Sequence, residues 1–257
     1  MFGRQRGSPR LGSHWGRMLT LYHSWNSTCS QKVRICLAEK GLDWTGVHLN
    51  LRRLDQLKPE FLAINPAGVV PVLVAEGQVI AESTVINEYL DDAFDGVPLK
   101  PPDAAGRARM RQWTKYIDDV PTWAIKTPSF KRNIRPAAAK FSADQIEAIR
   151  TRMPNRETAE RWLKAAGAGF VPAEIEADLA RLADMLDRTE AALAAHPWLA
   201  GTSYSLADIN MVPFVHRLVV LGHRDMLAKR PRAAGWYERV ASRPAVQTGI
   251  NFPTPDA

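Results

Sequence analysis

Asn26-Ser27-Thr28-Cys29-Ser30-Gln31-Lys32-Val33-Arg34-Ile35 follows a short strand signal, Leu19-Thr20-Leu21-Tyr22, and runs into a helical segment that stops at Gly41. Small polar side chains thus gather where a strand gives way to a helix. The first N–H groups of a helix have no partner inside it, and its dipole is positive at that end. Such a place stabilises a thiolate or another small anion. Plain helix capping is the competing use of the same residue types.

The neighbouring segments alternate. Trp44–Leu49 reads as a strand and Lys58–Ile64 as a short helix. Val69–Val74 is a β-branched strand, paired with Gln78–Ala81 across the Glu76-Gly77 turn. Ser83–Phe94 is helical, with Val85, Ile86, Tyr89 and Leu90 on one face. With Leu19–Tyr22 and Gln31–Lys40 the order is βαβαββα, that of a thioredoxin-like domain. Pro98, Pro101, Pro102 and Asp103 mark a linker. Beyond it the pattern is helical: 104–120, 142–151, 155–166, 172–195, 205–221 and 232–242. The fold class is α/β plus all-α. The expected division is a disordered basic leader at 1–17, a thioredoxin-like domain at 18–95, a linker at 96–102 and an all-helical domain at 103–257.

The 257 residues are 46% hydrophobic and 24% charged, an ordinary globular composition. No apolar run approaches the roughly 20 residues of a membrane span, so no membrane partner is expected. Cys29 and Cys36 are the two cysteines. Seven residues apart on one helix, they are separated by about 10 Å along its axis, too far for a disulfide. A reducing, cytoplasmic setting follows. The net charge is +7, and Arg4, Arg6, Arg10 and Arg17 supply four of those charges with no acid among residues 1–17. The leader has no apolar core and is not a secretory signal. Lys126, Lys131, Arg132 and Arg135 are read as a solvated face, so no nucleic-acid partner is expected. The six histidines form no metal-ligand spacing, and no metal is expected.

Two further segments carry chemistry. Asn65-Pro66-Ala67-Gly68-Val69 leads to Val70-Pro71, and Glu82-Ser83-Thr84 opens a helix. A cis proline at Pro71 would present the Val70 N–H and C=O like a sheet edge. Ser83 at a helix N-terminus can hold a carboxylate, and Glu82 can pair with an ammonium. In the first loop, Ser27, Thr28 and Asn26 are candidate donors to a sulfur anion. A thiol has a pKa of about 8.5, and such a donor lowers it. Cys29 could be a nucleophile of its own, but one step inside the helix it is read as packing and ranks below Ser27.

Together these motifs resemble the glutathione transferases over residues 18–250. Ser27-Thr28-Cys29-Ser30-Gln31-Lys32-Val33-Arg34-Ile35 is similar to the Ser-type loop of the zeta class. Ser205-Leu206-Ala207-Asp208-Ile209 resembles the family's capping box in its helical domain, where Ser205 and Asp208 cap reciprocally. Glu82–Leu90, Met110–Lys115 and the long segment from about Thr127 to Pro172 resemble the bacterial β-aryl etherases of lignin breakdown.

The resemblance implies glutathione as co-substrate. Ser27, Thr28 or Asn26 would serve its sulfur, Val70 and Pro71 its cysteinyl backbone, and Glu82 and Ser83 its γ-glutamyl end. It implies cleavage of β-aryl ethers by thiolate substitution. A zeta-like isomerase, a general conjugating or dehalogenating transferase, and a non-catalytic ligand-binding or partner subunit are the alternatives. It also implies a dimer, either with itself or with a related transferase subunit. A small aromatic substrate needs an apolar pocket. Trp25, Trp113, Tyr116, Ile117 and Val120 are its candidate lining.

Overall fold

The computed structural model describes residues 4–6 and 18–253. The rest of the basic leader lies outside the described residues. Two compact units are present: one formed by the chain up to Pro98 together with the segment from Pro244 onward, the other by Leu99–Arg243.

The first unit holds a five-stranded sheet. Its strands are β1 (Arg4–Arg6), β2 (Leu19–His23), β3 (Thr45–His48), β4 (Val72–Ala75) and β5 (Gln78–Ala81), in the order β1-β3-β2-β4-β5. β2 and β3 run parallel, and the other pairs are antiparallel. Leu19, Leu21 and His23 are buried on alternate positions of β2, the period-two signature of a half-covered strand. Arg4–Arg6 adds an edge strand within the leader, a segment the sequence predicts to be disordered. The sequence pattern offered only four strands.

α1 (Thr28–Glu39) leaves β2 through the candidate loop. It ends at Lys40 with Gly41 at φ +65°. The Gly41 N–H bonds the Ala38 carbonyl at 3.2 Å, and the Leu42 N–H bonds that of Leu37 at 3.0 Å. Glycine is favoured there because this closing turn needs a left-handed residue. Every residue from Ser30 to Leu37 is buried. α2 (Pro59–Leu62) follows β3, and α3 (Ser83–Ala93) follows β5 and packs on α1.

The second unit contains α4 (Ala104–Asp119), α5 (Pro121–Ala124), α6 (Lys126–Ser129) and one wide π-type turn at Phe130–Ile134. It continues through α7 (Arg135–Ala138), α8 (Ala143–Arg152), α9 (Arg156–Ala166) and α10 (Pro172–Ala192) to α11 (Leu206–Val220), α12 (Arg224–Ala228) and α13 (Pro231–Ala241). At the start of α11 the buried Asp208 carboxylate accepts from the Ser205 N–H at 3.0 Å, the Leu199 N–H at 3.1 Å and Trp236 Nε1 at 2.8 Å. The Ser205 hydroxyl accepts from the Ala207 N–H at 3.3 Å. The expected capping box is present, and Asp208 extends it into the unit's core.

α14 (Pro244–Ile250) belongs to the first unit, whereas the sequence assigns 103–257 to the helical domain. It lies against α1. A Cβ on Gly249 would stand 2.5 Å from Ile35 Cγ1 and 2.7 Å from the Ile35 backbone nitrogen. Only a residue without a side chain permits that approach.

Candidate functional site

In the first unit, three chain segments carry the residues singled out in the sequence. Ser27 is the N-cap of α1, and its hydroxyl oxygen accepts from the Ser30 N–H at 3.2 Å. The capping use of this residue is therefore real. It engages the oxygen's lone pair and leaves the hydroxyl proton able to donate. Asn26, Ser27, Thr28 and Cys29 are all half-buried, at the positive end of a 12-residue helix. Cys36, the other thiol, is fully buried, and burial pushes its pKa up. It cannot serve as a solution-facing nucleophile.

The Val70–Pro71 peptide is cis, as expected from the fold. The loop before it is braced by the buried Asn65. The Asn65 Nδ2 amide donates to the Val69 carbonyl at 2.8 Å, and its Oδ1 accepts from the Ala67 N–H at 3.1 Å. Among the described residues the chain supplies no backbone partner to the Val70 N–H or C=O. Both groups remain available to an extended ligand running along them.

Glu82 precedes α3 with φ +65° and ψ 112°, a strained conformation for a residue with a side chain. It makes no side-chain cap and is exposed. Ser83 is the first residue of α3 and is buried. Its N–H is among those a helix leaves without an internal partner. Strain of this kind persists where surrounding structure imposes it, and functional sites are where it gathers.

Sequence reasoning missed two residues on α1. Lys32 is fully buried and donates from Nζ to the Thr84 hydroxyl at 2.9 Å. Arg34 is 2% exposed. Its Nε donates to the Gly249 carbonyl at 2.9 Å, and Nη2 donates to the Trp25 carbonyl at 2.9 Å. Nη1 lies 3.2 Å from both the Ser24 carbonyl and His23 Nδ1. The Phe252 ring covers the guanidinium at 5.1 Å. Burial holds the Arg34 pKa down at about 9, and burial beside Arg34 and His48 keeps His23 neutral, its pKa lowered to about 2. The available signal was Val33, Ile35 and Leu37 flanking these cations on every side, which marks a helix buried all round.

In the second unit, Trp113 and Tyr116 meet edge to face at 6.0 Å. The Arg188 guanidinium sits 5.1 Å from the Trp113 ring centre and 4.2 Å from that of Tyr116. Burial raises the Tyr116 pKa, against the opposing effect of Arg188. Ile117 has no exposed surface, so this candidate lining residue is core. Val120 is the half-buried C-cap of α4. Trp25 belongs to the first unit, where it is half-buried beneath Arg52, whose guanidinium carbon is 5.6 Å from its ring centre.

The basic group read as a solvated face is partly structural. Arg135 donates to the Ala165 and Gly167 carbonyls at 3.2 and 2.9 Å, closing the end of α9. Arg132 reaches the Val220 carbonyl at the end of α11 at 2.5 Å, and Lys126 lies 3.4 Å from the Trp123 ring centre. Among the described residues no cluster of His, Cys, Asp or Glu could hold a metal ion. No helix among them is long and apolar enough to cross a membrane.

Residues 26–93 match the glutathione S-transferase N-terminal domain, and residues 172–239 match the C-terminal domain of the same family. Protein LigF of Sphingobium sp. strain SYK-6 is 33% identical over 236 residues, 89% of this chain and 91% of LigF. The chain belongs to the glutathione S-transferase family. This glutathione S-transferase is also 46% identical over 240 residues to glutathione S-transferase Z1 of Arabidopsis thaliana, covering 93% of this chain and 94% of that one. The crystal structure of beta-etherase LigF from Sphingobium sp. strain SYK-6 superposes with a TM-score of 0.84 at 32% identity, over 92% of this transferase and all of LigF. The transferase's three loop segments, 26–28, 70–71 and 82–83, all lie inside or at the edge of the matched N-terminal domain.

Proposed function

We propose that this transferase cleaves β-aryl ether bonds in lignin-derived aromatic ketones, with glutathione as its thiol substrate. Glutathione supplies a thiolate: its sulfur forms a bond to the carbon between carbonyl and ether oxygen, and the C–O bond breaks with its electron pair leaving on the aryl oxide, which takes a proton from water. The chain's part is to ionise and place the sulfur. The Ser27 hydroxyl donates to it at the start of α1, while Thr28 and Asn26 are the neighbouring donors. The Val70 backbone pairs with the cysteinyl unit beside Pro71. Ser83 receives the γ-glutamyl carboxylate and Glu82 its ammonium. The residues present suit the peptide: an open backbone edge at Val70 and a strained Glu82 before a helix start. In the second unit, Trp113 and Tyr116 are the aromatic side chains assigned to the substrate ring.

The observation that carries the ether-cleaving reading is the likeness to beta-etherase LigF over nearly its whole length. The test is turnover of a fluorogenic aryl-ether ketone with glutathione, each enantiomer separately. Release of the phenol is expected, and its absence with both enantiomers would remove the reading. The Ser27-Thr28-Cys29-Ser30 loop and the likeness to glutathione S-transferase Z1 favour a second reading, a zeta-like glutathione-dependent isomerase or dehalogenase. Isomerisation or dehalogenation without phenol release would select it. We further infer a cytoplasmic dimer, with itself or with a related subunit, which sedimentation of the purified chain would test.

A further inference from the structure

Among the described residues, Arg34 is a buried cation with no carboxylate against it. Its partners are three carbonyl oxygens and a neutral imidazole. From the sheet, His23 faces it with His48 behind at 5.9 Å between rings. From α14 and the residues after it, Pro244 to Phe252, no charged residue is available. On α1 itself, Lys32 is bonded to Thr84, and Lys40 pairs with Asp91 of α3 at 3.2 Å. Among the described residues, none of these elements sets an acidic side chain against the guanidinium.

Two of the carbonyls it binds, those of Ser24 and Trp25, belong to the turn immediately before Asn26 and Ser27. A trans peptide points its C=O and the following N–H in opposite directions. With both oxygens turned to the guanidinium, the Trp25 and Asn26 N–H groups point away from it. The cation therefore sits at the negative, oxygen end of both peptide dipoles. The third carbonyl, Gly249, anchors the same guanidinium from α14, and Phe252 shields it from water.

We propose that Arg34, clamped from behind by Gly249 and Phe252, is a positioning residue for the thiol site: it orients the Ser24–Asn26 backbone and lends its charge to the ionised sulfur at Ser27. The carboxyl-terminal segment, which lies outside both matched family domains, thereby supports the thiol site through Arg34. This inference rests on the thiolate reading of the Ser27 loop given above.

The test is a pH titration of the ultraviolet thiolate band in the enzyme–glutathione complex, with steady-state kinetics beside it. In Arg34→Met the bound thiol's pKa is expected to rise by about one unit. Turnover at neutral pH should then fall about tenfold with the thiolate fraction and recover in alkali. KM for glutathione should change little, because Val70 and Ser83 are untouched. Arg34→Lys keeps the charge but cannot reach three carbonyls at once, so its thiol pKa should lie between the two. Phe252→Ala, which keeps every hydrogen bond to Arg34, admits water to the cation and should shift the titration the same way by less. It decides the matter if Arg34→Met does not fold. Titrations in Arg34→Met or Phe252→Ala that superpose on wild type would overturn the proposal. A wild-type enzyme that shows no thiolate band with glutathione would instead remove the reading beneath it.

Discussion

Lys32 Nζ lies 2.9 Å from Thr84 Oγ1, joining the second turn of α1 to the first turn of α3 across 52 residues of sequence. The two helix starts that carry Ser27 and Ser83 are thus fastened to each other by a buried ammonium. Replacing Thr84 by Val keeps the shape and removes one acceptor. Hydrogen bonds to charged groups are worth about 1.5–3 kcal/mol. Thr84→Val is expected to destabilise by that amount in urea titration and to raise KM for glutathione more than it lowers kcat. An unchanged KM would separate the ammonium from the site.

Ser27 has two tasks in this reading, and they differ in size. Loss of an N-cap costs about 1 kcal/mol. Loss of a donor to a reacting anion costs about a hundredfold in kcat. Ser27→Ala should therefore lower the melting temperature modestly and turnover heavily, while Thr28→Val leaves turnover near wild type. The reverse ranking would move the sulfur's donor to Thr28.

Burial pushes the Asp208 carboxyl up to about 6, against the three N–H donors and the Ser205 hydroxyl that pull it down. An unfolded aspartate titrates near 3.9. Between those values the folded chain holds the proton and the unfolded chain does not, so stability falls as pH rises from about 4 to about 6. Melting temperatures across that window should show a downward component in wild type that Asp208→Asn lacks. Asp208→Ala should cost about 3 kcal/mol or more at any pH, because it strands buried donors including Trp236 Nε1.

Ile117 and Tyr116 are adjacent in sequence and differ in role. Ile117→Ala should cost about 2–5 kcal/mol through a core cavity and leave KM for an aromatic substrate unchanged. Tyr116→Ala should cost less stability and raise that KM. Equal KM effects from both would take Tyr116 out of the substrate surface.

Most of the first unit could be read from residue order. Strand signals give four of its five strands, Gly41 gives the end of α1, and the polar cluster at 26–30 marks the strand-to-helix junction, although the helix begins at Thr28 and not at Gln31. The cis Val70–Pro71 peptide followed from the fold. The short helices between Pro121 and Ala138 could not be read, because Pro128 and Pro136 break the periodicity that marks longer ones. Ile117 looked like pocket because a helical stripe does not say what covers it. Arg34 was passed over because a lone arginine in a helix usually meets water, and only the tertiary packing of α14 denies it that. The placement of α14 is invisible locally, since it depends on a contact between Gly249 and Ile35 more than 200 positions apart.

Because the first unit is completed by α14, its sheet emerges from the ribosome long before the helix that covers α1. Through the synthesis of Leu99–Arg243, the nascent chain carries an α1 whose Ile35 side and Arg34 cation still lack their final cover. The amino-terminal unit is thus complete only once Pro244–Phe252, a stretch with no charged residue, has been synthesised.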